Sequence, residues 1–189
     1  LVGVAATGMT ACPCAQELVA ARARERLRAD DFSEDQIERV LECVPVATHN
    51  QRGLGTLHIG CPEECEAEIE AATLLEIVEG SMSSEIYELM KRTDEVEVVE
   101  KAHRRPRFVE DCVREMIAAT VERFPMLLDG AFVSARQENL ETIHQHNVIA
   151  ERYGLMAELR GEIQTQAPAA HQTTLDEWLG GNSRGLRAP

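Results

Sequence analysis

Apolar stripes at helical spacing run through this chain and set the terms for any fold it can adopt. Between Arg107 and Arg123, the residues Val109, Val113, Ile117 and Val121 fall on one face of a helix. Pro106 stands at its N-terminal end, where a missing N–H is tolerated. A second stripe, Ile69, Ala72, Leu75 and Val78, predicts a helix from Glu63 to Glu79. Ser33 followed by Gln36 has capping-box spacing and predicts the start of another helix, with Ile37, Val40 and Leu41 as its stripe and Pro45 as its end. Ala15 to Ala29 reads as a further helix, with arginines at 22, 24, 26 and 28. Each of these helices has one apolar face that must be laid against something.

The intervening segments supply that partner. Leu1 to Ala11 reads as a strand of small and β-branched residues, interrupted by Gly3 and Gly8 and broken by Cys12-Pro13-Cys14. Leu54 to Ile59, Ala131 to Ala135 and Thr142 to Tyr153 read as strands, the last two as a hairpin across Gln137 to Asn139. Val96, Val98 and Val99 suggest an extended piece, and Ser83 to Lys91 a helical turn or short helix. The expected class is α+β: an antiparallel sheet with helices packed on one face. The expected division is one unit over 1–164 and a loose tail over 165–189, helical at Leu175 to Leu179.

Composition excludes several roles. With 44% hydrophobic residues in 189, a real core is available and wholesale disorder is excluded. The apolar runs are far below the roughly 20 residues that span a bilayer, so no membrane association is expected. The net charge of −14 argues against nucleic-acid binding, which rests on neutralising phosphates. The only lysines are Lys91 and Lys101. An acid-rich, lysine-poor surface fits solubility in high salt, and a GC-rich genome would also favour arginine. No export signal is visible, so a cytoplasmic location is expected. Leu1 is not an initiator Met, which fits a processed chain or a piece of a longer one.

Several clusters could carry chemistry. The six cysteines, without an export signal, read as metal-binding or catalytic rather than as disulfides. Cys12-Pro13-Cys14 could place one thiolate on a metal and the other in a pocket, or be two small residues at a strand end. With Cys61 and Cys65 the pair could also form a structural zinc site. Cys43 and Cys112 lie in helices and read as core. His49-Asn50-Gln51-Arg52 reads as a polar loop, either merely solvated or holding a nitrogen-rich anionic substrate. In a strand, His144 and His146 would share a face, one for metal and one for protons, or both simply exposed. Glu85 and Glu100 each read as a solvated carboxylate or a site residue. Arg104, Arg105 and Arg107 form a basic cluster that could meet phosphate or offset nearby acids.

An ordered set of segments resembles a known family. It comprises Thr10-Ala11-Cys12-Pro13-Cys14, His49-Asn50-Gln51-Arg52, Ser84-Glu85-Ile86-Tyr87, Lys91 to Glu95, Glu100-Lys101-Ala102, Phe108-Val109-Glu110-Asp111 and Asn139 to His146. This set resembles the type IB GTP cyclohydrolases, and more closely their archaeal MptA-type branch. Bacterial members place the His-Asn-Gln-Arg segment shortly after the first Cys; here two helices intervene, as in the archaeal members. With the acid-rich surface, that insert favours a haloarchaeal origin.

The resemblance implies a tunnelling fold (T-fold) assembled through subunit interfaces, hence a homo-oligomer, dimer or tetramer. Family chains carry two such units, and this chain resembles the C-terminal one. It implies metal ligands at Cys12, His49, Glu85 and His144, a purine-anchoring carboxylate at Glu100, and further active-site positions at Glu141, His146 and Cys14. Arg52, Lys91, Arg92 or the arginine cluster would meet the triphosphate. Fe(II) is the implied metal, with Zn and Mn also suited to such mixed donors. The implied reaction opens the guanine imidazole ring of GTP, releases formate and yields a dihydroneopterin phosphate, the 2′,3′-cyclic phosphate in the archaeal type. A non-catalytic zinc-stabilised module and a T-fold enzyme acting on another purine or pterin are the rival readings.

Overall fold

The computed structural model describes residues 1–62 and 67–181. Five antiparallel strands form one sheet in the order β3-β1-β2-β4-β5. They are β1 (Val2–Ala11), β2 (Asn50–Gly60), β3 (Ser84–Glu85), β4 (Phe132–Leu140) and β5 (Val148–Leu155). The helices are α1 (Pro13–Ala29), α2 (Glu34–Cys43), α3 (Ala71–Ser81), α4 (Arg92–Arg104), α5 (Val109–Arg123), α6 (Met156–Thr165) and α7 (Leu175–Leu179). None of the described helices is long and apolar enough to cross a membrane.

Strand alternation builds the core. Leu57 and Ile59 of β2 and Val133 and Ala135 of β4 point to one face. Leu74, Ile77 and Val78 of α3 and Cys112, Val113, Met116 and Ile117 of α5 cover that face. Each large side chain buried there contributes about 1.5–3 kcal/mol, so the expected antiparallel sheet with one helical layer is the observed arrangement. Cys112 lies inside this layer, where burial pushes its thiol up to about 12. Cys43, expected in the core, is exposed at the end of α2.

β1 and β2 pair along their whole length, from Val2↔Ile59 to Ala11↔Asn50. The helical pair α1–α2 is therefore an insert at the end of a long hairpin. Ser33 begins α2 as its spacing predicts: Gln36 N–H donates to Ser33 Oγ (3.4 Å), and Ser33 N–H to Gln36 Oε1 (2.9 Å). Gln16 of α1 donates through Nε2 to the Val46 carbonyl within the insert (2.8 Å) and to the His103 carbonyl of α4 (2.5 Å), and the second bond ties the insert to the body.

Several local expectations are corrected. Val96, Val98 and Val99 are helical, within α4. Their β-branching is outweighed by a start at Lys91, whose N–H donates to Asp94 Oδ2 (2.9 Å), and by acids in the first turn and bases in the last. Ser83 to Lys91 is not helical; Ser84 and Glu85 pair with Met9 and Gly8 as β3. The helix expected from Glu63 begins at Ala71, and 63–66 lie outside the described residues. Asn50, Gln51 and Arg52 are not loop but the first residues of β2. Gln137 to Asn139 are inside β4, and the β4–β5 connection lies further on, over 141–147. That run is polar and lacks the alternation a strand needs, so His144 and His146 sit on a loop.

Beyond α6 the chain returns to the body. Thr173 is buried, its N–H and hydroxyl donating to Glu158. The Trp178 indole donates to the Gly130 carbonyl (2.9 Å) and its ring lies 5.7 Å from that of Phe132. Gly60 makes this possible, since a Cβ there would stand 2.6 Å from the Trp178 ring.

Arg152 on β5 holds Glu162 on α6 through two bonds, at 3.0 and 2.7 Å. That guanidinium, against partial burial and with help from the Ala169 N–H, holds the Glu162 carboxyl below its ordinary range. Glu162→Gln is expected to lower stability at neutral pH by about 1–2 kcal/mol. A depressed folded-state pKa contributes stability that is present above the unfolded value and lost as pH falls through the folded one. The gap in melting temperature between native and variant, measured from pH 7 down to pH 3, should therefore shrink towards acid.

Candidate functional site

Three strands end together at one corner. Thr10 of β1 pairs with Gln51 of β2, and Leu140 of β4 with Arg52, so Glu141 follows level with Gln51. Two positions further out, beyond Ala11↔Asn50, the Cys12 N–H donates to the His49 carbonyl (3.1 Å). The α1–α2 insert thus leaves from Cys12 and returns to His49, and residues far apart in sequence become neighbours. Thr48 Oγ1 donates to the Cys12 carbonyl (2.9 Å), and Thr142 Oγ1 to the Asn50 carbonyl (3.1 Å). The second bond pins the 141–147 loop against β2.

The loop brings His144 to His49. Their rings meet edge to face at 5.7 Å, and His146 stacks on His144 at 5.7 Å. Among the described residues, His49, Glu141 and His144 each offer one ligand atom, all within 4.8 Å of one another. His49 and Glu141 are nearly enclosed, with side-chain exposures of 10% and 7%. Glu141 Oε2 is buried without a hydrogen-bond partner among the described residues, and its approach to His49 Nδ1 is only 3.8 Å. A buried carboxylate oxygen without a donor is costly unless a cation meets it. Two imidazoles and a carboxylate are also a donor set that Fe(II), Zn and Mn accept. The residues present fit a divalent metal.

The remaining candidates are placed as follows. Cys12 caps α1, its Sγ accepting from the Ala15 N–H (3.5 Å), beside His49 through the backbone. Glu85 accepts from Tyr87 (2.6 Å) and is ion-paired to Lys101. Partial burial pushes its carboxyl up, but Lys101, Tyr87 and its own backbone outweigh that and hold it at about 2. It lines a cavity of about 320 Å³ with Ser84, Met90, Asp94 and Lys101. Cys14 is exposed on the first turn of α1, Glu100 is exposed on α4, and Arg52 faces the open side of the sheet. The three-donor grouping contains none of Cys12, Cys14, Glu85, Glu100 and Arg52.

The arginine cluster is largely committed to the body. Arg104 donates to the Glu42 and Cys43 carbonyls, Arg105 to the Gly80 carbonyl, and Arg107 to Glu115. The first two close the C-terminal ends of α2 and α3, where carbonyls lack helical partners. The four-cysteine alternative gains no support among the described residues, whose metal-sized cluster contains no cysteine. Cys65 lies outside them. Sequence reasoning assigned Glu141 to the site but not to the donors; the signal was its place directly after β4, visible only with the register.

The family model described as type I GTP cyclohydrolase folE2 matches residues 1–150. A GTP cyclohydrolase MptA from Methanococcus aeolicus is 47% identical over 164 residues, covering 87% of this chain and 52% of the relative. One from Methanosarcina acetivorans is 49% identical over 163 residues, covering 86% and 51%. The chain thus spans about half the length of these curated relatives. The match runs through both ends of the corner, from Cys12 and His49 to Glu141 and His144, and the chain belongs to the type I GTP cyclohydrolase folE2 family.

Proposed function

We propose that this chain is the metal-binding half of a GTP cyclohydrolase of the archaeal MptA type. The single observation that carries the reading is the grouping of His49, Glu141 and His144, with a buried Glu141 oxygen that has no hydrogen-bond partner among the described residues. His49 and His144 are the nitrogen donors and Glu141 the oxygen donor; the family resemblance adds Cys12 and Glu85 from the flanks. Two histidines and one carboxylate suit Fe(II), in keeping with the archaeal branch, and accommodate Zn or Mn. A divalent cation held there supplies Lewis acidity and brings the pKa of a water towards neutrality.

The residues around it divide the remaining work. The substrate is GTP, attacked by water at C8 of the guanine ring. Opening of the imidazole ring and a second hydrolysis release C8 as formate. His146, which stacks against His144, takes a proton from the water and returns it to the leaving ring nitrogen. Glu100 accepts two N–H bonds from the guanine edge, Cys14 lines the pocket, and Arg52 meets the phosphates. The three-donor grouping contains neither Glu100 nor Cys14, and the site is read as one completed by neighbouring chains of a homo-oligomeric T-fold. The product is a dihydroneopterin phosphate, the 2′,3′-cyclic phosphate by analogy with the archaeal branch, formed in the cytoplasm for pterin cofactor synthesis.

The test is anaerobic incubation of the full-length protein with GTP and Fe(II), scoring formate and fluorescent pterin. Equimolar formate and pterin are the expected result. A folded, metal-loaded protein that binds GTP and releases no formate would move the reading to another purine or pterin.

A further inference from the structure

The inward side chain of Gln51 is a polar group where packing alone would favour an apolar one. β2 alternates, so Gln51 and Gly53 point to the helix-covered face while Asn50 and Arg52 point away. Gln51 is 5% exposed and Thr10, paired with it across β1 and β2, is fully buried. A buried amide is tolerated only when its groups are bonded, and here both ends are engaged. Nε2 donates to Thr10 Oγ1 at 3.0 Å, and Oε1 lies 3.1 Å from His49 Nδ1. An amide oxygen only accepts, so this arrangement puts a proton on Nδ1 and leaves the lone pair on Nε2.

We propose that Thr10 and Gln51 are positioning residues that hold His49 as the Nδ1–H tautomer, with Nε2 free for the cation. The inference rests on the metal-site reading above. A neutral imidazole has two tautomers and a rotating ring; a ligand needs one of each. Metal-bound histidines commonly have the second nitrogen held by an acceptor in this way. Thr10 fixes the amide and the amide fixes the ring, so the relay begins within the sheet and ends at the site. Glu141 Oε2 lies 3.8 Å from the same Nδ1, too distant to replace Gln51 as its acceptor.

The test uses the full-length protein with Zn(II) as the probe, its dissociation constant measured by competition with a chromophoric chelator. Gln51→Leu should weaken Zn(II) binding about 10–100-fold. Gln51→Glu, whose carboxylate accepts the same N–H, should stay within about threefold of native. Long-range ¹H–¹⁵N spectra of the metal-free native protein, with His49 assigned by its loss in His49→Ala, should show the proton on Nδ1. Native affinity in Gln51→Leu, or a proton on Nε2 in the native protein, would overturn the proposal. A native protein that fails to bind Zn(II) would overturn the metal-site reading, and the tautomer spectrum would still decide the Gln51 contact.

Discussion

Removing the His144 imidazole is expected to abolish metal retention and with it formate release from GTP. His144 sits on the exposed 141–147 loop, so His144→Ala leaves no cavity in the core and the fold should survive. The loss falls on the site alone: one of three grouped donors disappears, and Glu141 Oε2 remains in its enclosed position with nothing to neutralise it. The expected fall in turnover is at least roughly a hundredfold. Metal analysis of the purified variant checks the cause, and a melting curve within a few degrees of native checks the fold. A variant that keeps its metal and its turnover would exclude His144 from the centre.

The second large effect concerns Glu141. Glu141→Gln keeps the shape of the side chain and removes its charge. If the buried oxygen serves the cation, the variant should bind metal at least about tenfold more weakly, since a neutral amide compensates a divalent charge far less. Activity should then return in part at high metal concentration. The family resemblance also allows Glu141 a part in proton movement. A variant that holds metal as native does, yet loses turnover and the native pH profile, would assign it that role.

The sequence made the elements legible where the signal was local. The Ser33–Gln36 box, the α5 stripe and the first strand are written in neighbouring residues, and they appear as expected. It misled where local preference and context disagree. Val96, Val98 and Val99 look like strand, but the charges at the two ends of α4 favour helix. Asn50, Gln51 and Arg52 look like loop because they are polar, yet they extend β2, and the inward turn of Gln51 shows only once its pairing with Thr10 is known.

The site was partly legible for the same reason. His49 and His144 could be named, and the structure brings them together. That Cys12 and His49 are neighbours was not readable from spacing, because α1 and α2 intervene and only the full-length β1–β2 pairing closes the gap. Glu85 pairs with Lys101 within one chain instead of joining the histidines. Such a contact depends on which surfaces α4 and β3 present, and no motif encodes it.

The central claim is that a divalent metal belongs at the corner formed by the ends of β1, β2 and β4. The most direct measurement is an anomalous difference map from anaerobic, Fe(II)-loaded crystals of the full-length protein, collected at the iron edge. The account predicts a single peak per site within bonding distance of His49, Glu141 and His144. A strong peak at Cys12 and Cys14, with none at the two histidines, would contradict it.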